Sequence, residues 1–142
     1  MRFEDLHLHP SLIKAVKNQN YHIPTQIQKQ AIPLILKGND LLGIAQTGTG
    51  KTAAFALPIL HHLINDNRKN LGIQSLIVTP TRELAIQIGE NFTAYSQYNN
   101  IKSVVIFGGV KQGGQVAALK NHIDILVATP GRLLDLMNQG FV

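Results

Sequence analysis

The chain has no cysteine and no tryptophan, and only 6% of its 142 residues are aromatic and 15% charged. Without cysteine there is neither a disulfide nor a thiolate metal site, which suits a reducing compartment. No apolar run approaches the roughly 18 residues of a membrane span. The opening MRFEDLHLHP carries two acids and no apolar stretch, so it is not expected to be a secretory signal. The expected location is cytoplasmic, with no membrane partner. Long blocks of one charge are missing too: thirteen Lys+Arg stand against eight Asp+Glu, a formal +5, yet the only adjacent basic pair is Arg68 and Lys69. Scattered charge marks no basic groove. Of the six histidines, the adjacent His61 and His62 point about 100° apart on a helix and cannot clamp one metal, and His7 and His9 have no third ligand nearby.

What is present is a core-forming composition, 44% hydrophobic, at a length suited to one domain. There are no repeats and no low-complexity tract. Four short apolar runs recur: DLLGIA (40–45), SLIVT (75–79), SVVIF (103–107) and DILVAT (124–129). Each is too apolar for a half-exposed strand, so they are expected to be parallel strands covered on both faces. Helical spacing fills the gaps over 51–66, 83–98 and 112–120, and two further helices are expected over 10–19 and 25–36. Strand and helix in alternation give an α/β, doubly wound pattern. Pro10 suits a first helical turn, whereas Pro33 and Pro58 fall inside helical stretches and should kink or interrupt them.

Ligands of open parallel sheets collect at the carboxyl ends of the strands. In this chain those ends carry QTGTGKT, PTRELA, GGV and PGR. Gly and Pro after a strand often do no more than turn the chain. Their joint placement is what suggests one binding edge. The strongest single element is AQTGTGKT (45–52), close to G-x-x-x-x-G-K-[ST] but with Ala45 in place of the first glycine. Gly48 and Gly50 let backbone N–H groups approach phosphate oxygens, the following helix adds its positive end, and Lys51 can reach the β and γ phosphates. Thr52 would hold Mg²⁺ through its hydroxyl. A nucleoside triphosphate with magnesium is the expected ligand.

These motifs resemble, in order and along the whole chain, the N-terminal part of a DEAD-box RNA helicase, a superfamily 2 enzyme. In that family the phosphate loop is AxTGxGKT, which Ala45, Gln46, Thr47, Gly48, Thr49, Gly50, Lys51 and Thr52 satisfy, alanine included. PTRELA matches motif Ia, Gly108 and Gly109 the GG motif, and Thr129, Pro130, Gly131 and Arg132 motif Ib. NYHIPTQIQ (20–28) resembles the Q motif with Phe3 as its upstream aromatic. Asn20 stands where glycine is usual and Gln26 where proline often is, leaving the local turn open. The resemblance implies a RecA-like P-loop three-layer sandwich with a mostly parallel sheet, incomplete at the C-terminus. Residues 1–38 would be the Q-motif region and 39–142 a partial first RecA-like domain. It further implies that Gln28 reads adenine, with Phe3 and Tyr21 as walls. Pro80, Thr81, Arg82, Gly108, Gly109, Thr129, Pro130, Gly131 and Arg132 would lie against the backbone of single-stranded or duplex RNA without reading its sequence. For Glu83 and Arg132 an internal salt bridge is an equal alternative.

A P-loop ATPase also needs a carboxylate at the end of a second buried strand and a group that orients water. None of the four runs ends that way, and Asp124 is at the start of its run. The resemblance places the Asp-Glu-Ala-Asp motif, the Ser-Ala-Thr motif and a second RecA-like domain beyond Val142. The chain alone is therefore expected to be inactive, with DLLGIA short of its family neighbours and strand edges left open. Competing readings are another superfamily 2 or P-loop enzyme, such as a DNA helicase or a nucleotide kinase, and a non-catalytic nucleic-acid-binding fragment. A kinase would be expected to show an arginine-rich lid, which this sequence lacks.

Overall fold

A computed structural model describes residues 1–66 and 72–142. The Arg68–Lys69 pair lies outside the described residues. The chain forms two compact units, one of Met1–Asn67 with Ala94–Asn100 and the other of Arg68–Thr93 with Ile101–Val142.

The first unit is helical. A 3-10 turn (Phe3–Leu6) precedes α1 (Pro10–Asn18), α2 (Gln26–Leu36) and α3 (Lys51–Asn65). Pro10 occupies the first turn of α1, where its missing N–H is an orphan anyway. Thr25 caps α2 in a reciprocal box with Gln28, which satisfies two N–H groups at once. Pro33 and Pro58 both lie inside helices that run past them without interruption. Leu12, Val16, Ile32, Leu57 and Leu60 form the fully buried interior, with Phe3 folded onto it.

One link in this unit is sensitive to acid. His61 of α3 accepts through Nδ1 a 2.9 Å bond from the backbone N–H of His9, the N-cap of α1. The ring can do so only while Nδ1 is unprotonated. Burial, then the nearby His62 and His9, keeps the His61 pKa below its ordinary 6.5. The unfolded chain takes up the proton first, so this contribution is complete above about 6.5 and is lost as pH falls below it. Between pH 7 and pH 5 the urea midpoint should drop by less in His61→Leu than in the wild type. Parallel pH profiles for the two would remove the link.

The second unit is a three-layer piece. Its strands are β1 (Ser75–Val78), β2 (Ser103–Ile106) and β3 (Ile125–Ala128), all parallel in the order β1-β3-β2. The register sets Ser75 and Ser103 on either side of Ile125, and Val78 and Ile106 on either side of Ala128. Every residue of β3 is buried, as its unbroken apolar run requires. Around the strands are α4 (Arg82–Tyr95), α5 (Gly113–Leu119) and α6 (Pro130–Asn138). Ile106, Leu126 and Ala128 pack with Leu133 and Leu136 of α6 and with Val116 and Leu119 of α5. On the opposite face Gly89 of α4 meets Val105 so closely that a Cβ there would overlap the valine's Cγ2. β1 is an edge strand, and its Leu76 and Val78 are half exposed.

The structure corrects the reading of the first apolar run. DLLGIA is not a strand: residues 40–45 have no assigned secondary structure, and Leu42 and Ile44 are 86% and 85% exposed. A strand needs a neighbour to take its N–H and C=O groups, and among the described residues none pairs with this run. PGR, in contrast, is no simple turn. Thr129 is an N-cap, Pro130 opens α6, and Leu133 and Leu136 supply the buried stripe.

Candidate functional site

In the first unit the phosphate loop is set by two left-handed glycines. Gly48 and Gly50 both have φ +83°, a conformation that L side chains rarely adopt. Thr49 closes the turn by donating its hydroxyl to the Gln46 carbonyl at 2.5 Å. The Gly50 carbonyl then accepts from Ala54 N–H at 3.2 Å to start α3. Because the N-cap is glycine, no side chain caps the first turn of this 15-residue helix. Its leading N–H groups therefore face the loop with their partial positive charge intact. Lys51 and Thr52 open the helix, the lysine exposed and the threonine half-buried. Beside Lys51 is a cleft of about 310 Å³, walled by Ile27, Ala31 and Ile35 of α2, Leu41 and Gly43, and Ala54 and Phe55 of α3.

Gln28 reaches this loop from α2. It is 6% exposed; its Oε1 accepts from Thr25 N–H at 2.9 Å and its Nε2 donates to the Gly50 carbonyl at 3.1 Å. The same amide thus completes a helix cap and holds the phosphate loop.

In the second unit the three strand ends lie side by side. β1 leads through Thr79 and the exposed Pro80 into α4, whose first turn is capped by the Thr81 hydroxyl accepting from Leu84 N–H at 3.2 Å. β2 leads into Phe107, Gly108 and Gly109, the last at φ +83°. The Arg82 guanidinium stacks 5.2 Å from the centre of the Phe107 ring. β3 leads into Thr129, whose N–H donates to Ile106 O at 3.1 Å and whose hydroxyl makes no capping bond. Arg132 is engaged within the protein: Nη1 donates to Gln115 Oε1 at 3.0 Å, Nη2 donates to Val110 O at 2.8 Å, and Nε lies 3.8 Å from Asp135. The salt-bridge alternative therefore holds for Arg132, on residues that its motif does not contain.

Residues 25–141 match the family model for the DEAD/DEAH box helicase. The chain belongs to that family. It is 47% identical over 139 residues to the ATP-dependent RNA helicase CshA of Limosilactobacillus reuteri, covering 98% of this chain and 27% of that protein. It is 44% identical over 133 residues to the DEAD-box ATP-dependent RNA helicase RhpA of Helicobacter pylori, covering 94% of this chain and 26% of that one. The crystal structure of a DEAD box protein from Methanococcus jannaschii overlays all of this chain with a TM-score of 0.89 at 40% identity, and 38% of that structure is covered. The chain thus spans about a quarter of the length of the curated relatives it matches.

In this DEAD-box chain the departures from the Q motif have local explanations. Asn20 adopts φ +62°, a left-handed pose that asparagine tolerates better than most residues, so it can stand in for glycine. Gln26 is the first residue of α2, a position that accepts proline but does not need it. Tyr21 is 48% exposed, whereas Phe3 is 2% exposed. Phe3 is thus a core residue, not an open stacking face; its N–H donates to His22 O at 3.3 Å and ties the N-terminus to the Tyr21 turn. Two residues with structural weight at the strand ends, Phe107 and Gln115, were not singled out from the sequence. The signal for Gln115 was a lone polar side chain beside the apolar Val116 and Leu119. Among the described residues no cluster of three or more His, Cys, Asp or Glu could hold a metal ion, and no helix is long and apolar enough to cross a membrane.

Proposed function

We propose that this chain is the ATP-binding and RNA-binding portion of a DEAD-box RNA helicase that couples ATP binding and hydrolysis to local unwinding of RNA duplexes. Residues 1–38 act as its Q-motif region and 39–142 as part of its first RecA-like domain, with a second RecA-like domain in the full-length protein and a cytoplasmic location. The observation that carries the reading is the uncapped start of α3 behind two left-handed glycines, tied to Gln28. That arrangement fits a triphosphate, since the loop offers N–H donors and one exposed ammonium and carries no acid. Ala45, Gln46, Thr47, Gly48, Thr49 and Gly50 wrap the phosphates, and Lys51 draws charge from the β and γ oxygens. Thr52 would offer its hydroxyl oxygen to Mg²⁺, and the ion, when bound, would supply charge neutralisation on the phosphates. Tyr21 forms a wall for the base, and Phe3 supports it from behind.

Gln28 retains a second lone pair on Oε1 and a second hydrogen on Nε2, the donor–acceptor pair that adenine N6 and N7 require. In the full-length protein Gln28→Ala should weaken ATP far more than GTP, by roughly 1–3 kcal/mol of discrimination. Titration of both nucleotides checks it, and equal losses would remove the assignment.

The three strand ends supply the nucleic-acid surface. Pro80, Thr81 and Arg82 line it from β1, Gly108 and Gly109 from β2, and Thr129, Pro130 and Gly131 from β3, with Arg132 set behind the Gly108–Gly109 loop. Amides, hydroxyls and a few cations bind phosphate and sugar without reading base edges. Affinity for single-stranded RNA should vary little with base sequence and fall steadily with salt. Anisotropy with several homopolymers across a salt series tests this, and a strong preference for one sequence at fixed salt would count against it.

A further inference from the structure

Gln115 is a buried amide that belongs to none of the motifs above. It is 9% exposed within α5, and both ends of its side chain are engaged. Nε2 donates to Phe107 O at 3.0 Å, and Oε1 accepts from Arg132 Nη1 at 3.0 Å. Arg132 Nη2 in turn donates to Val110 O at 2.8 Å. Phe107 and Val110 are the residues on either side of Gly108 and Gly109. Amide and guanidinium together grip both ends of the loop, one carbonyl each.

The loop they grip has little else to fix it. Two successive glycines have the largest backbone freedom of any pair. A Cβ at Gly108 would meet nothing within 4 Å, and one at Gly109 would find only Arg82 Nη1 at 3.8 Å. A loop that must bind phosphate through its amides loses affinity in proportion to the ordering it undergoes on binding. Ordering it beforehand removes that loss. The Arg132 side chain is only 11% exposed, and turning it outward to a phosphate would strip Val110 O and a buried glutamine of their partner.

We infer that Gln115 is a positioning residue for the RNA-backbone surface, fixing Arg132 and the Gly108–Gly109 loop in one pose, and that Arg132 serves RNA through this loop instead of touching phosphate. The inference rests on the reading of the strand ends as an RNA-backbone site. It separates Arg132 from Arg82, whose guanidinium lies over the Phe107 ring and is exposed.

The test uses the 142-residue chain and a labelled short oligouridine, with anisotropy measured over a salt series for the wild type, Gln115→Ala, Gln115→Glu, Arg132→Ala and the double alanine variant. Gln115→Glu keeps an acceptor for Arg132 but loses the donor to Phe107 O, so it probes one half of the grip in a chain that retains the other. Both Gln115 variants should bind oligouridine about tenfold more weakly. Amide exchange at 108–110 should speed up, while affinity for a non-hydrolysable ATP analogue stays put. Arg132→Ala should lower affinity without altering the slope of log K against log salt. A direct phosphate contact would reduce that slope by about 0.7. The double variant should be no worse than the weaker single. Unchanged RNA affinity in Gln115→Ala, a reduced slope in Arg132→Ala, or a joint fall in melting temperature and nucleotide affinity would each overturn the proposal. A wild-type chain that binds no oligouridine would overturn the reading of the strand ends, and would reduce the grip to a fold contact.

Discussion

Gly50→Ala should weaken ATP binding about 100-fold and Gly48→Ala about tenfold, the first adding a steric clash to a backbone strain that both share. The two glycines have the same φ, +83°. Holding an L residue there costs about 1–2 kcal/mol at either position. They differ in surroundings: nothing lies within 4 Å of a Cβ at Gly48, whereas one at Gly50 would overlap Gln28 Nε2 and stand 3.2 Å from Thr25 Oγ1. Overpacking of that kind adds about 1–3 kcal/mol, and about 1.4 kcal/mol corresponds to each factor of ten. The substituted loop relaxes away from the pose that aims its N–H groups at phosphate, and ligand must restore it. Calorimetric titration with ATP and Mg²⁺ measures both losses. Equal losses would show that the contact with Gln28 is not what holds the loop.

The second large effect is an absence of turnover. The 142-residue chain should release phosphate from ATP no faster than its own Lys51→Ala variant, with or without RNA. On the proposed reading Lys51 and Thr52 would hold phosphate and magnesium, but phosphoryl transfer also needs an oriented water and charge stabilisation at the leaving oxygens. Three of the acids show why none of them is offered for that task. Asp124, at the start of β3, accepts from Lys102 N–H at 3.0 Å and pairs with His122 at 3.0 Å. Glu83 is exposed in the first turn of α4. Glu4 pairs with Lys17 at 2.7 Å, and that bond holds its carboxyl down to about 2. A malachite-green assay beside a version extended through both RecA-like domains decides it. RNA-accelerated release that Lys51→Ala abolishes in the short chain would show that some residue here orients the water.

The three strands of the sheet were legible because β1, β2 and β3 are short β-branched and leucine runs closed by Thr, Pro or Gly, a pattern that helices avoid. The fourth run, 40–45, has the same signature and is not a strand. Apolarity declares a need for burial, but it does not name the neighbour that would provide it. The glycines of the 45–52 loop and the helix start at Lys51 were legible, since the spacing of the motif reflects a backbone requirement that Gly48 and Gly50 meet. Arg132 and Phe3 were legible only as members of motifs. Their positions depend on Val110, Gln115 and the helical core of the first unit, contacts of long sequence separation that no local pattern carries. Helix α6 hid behind PGR because a proline after a strand signals a turn as readily as a first helical residue.

The strand order β1-β3-β2 has a consequence for how the sheet is made. The central strand is the last of the three to leave the ribosome. Until residue 128 has emerged, β1 and β2 have no strand partner among the described residues, because each hydrogen-bonds to β3 and not to the other. The two must wait apart with their backbone groups in water, and the final strand must then slot between them and satisfy both edges in one event. Assembly of this kind closes long loops before any pairing rewards it, so the sheet should form late and cooperatively. The helices, whose bonds are local, can form while it is still incomplete.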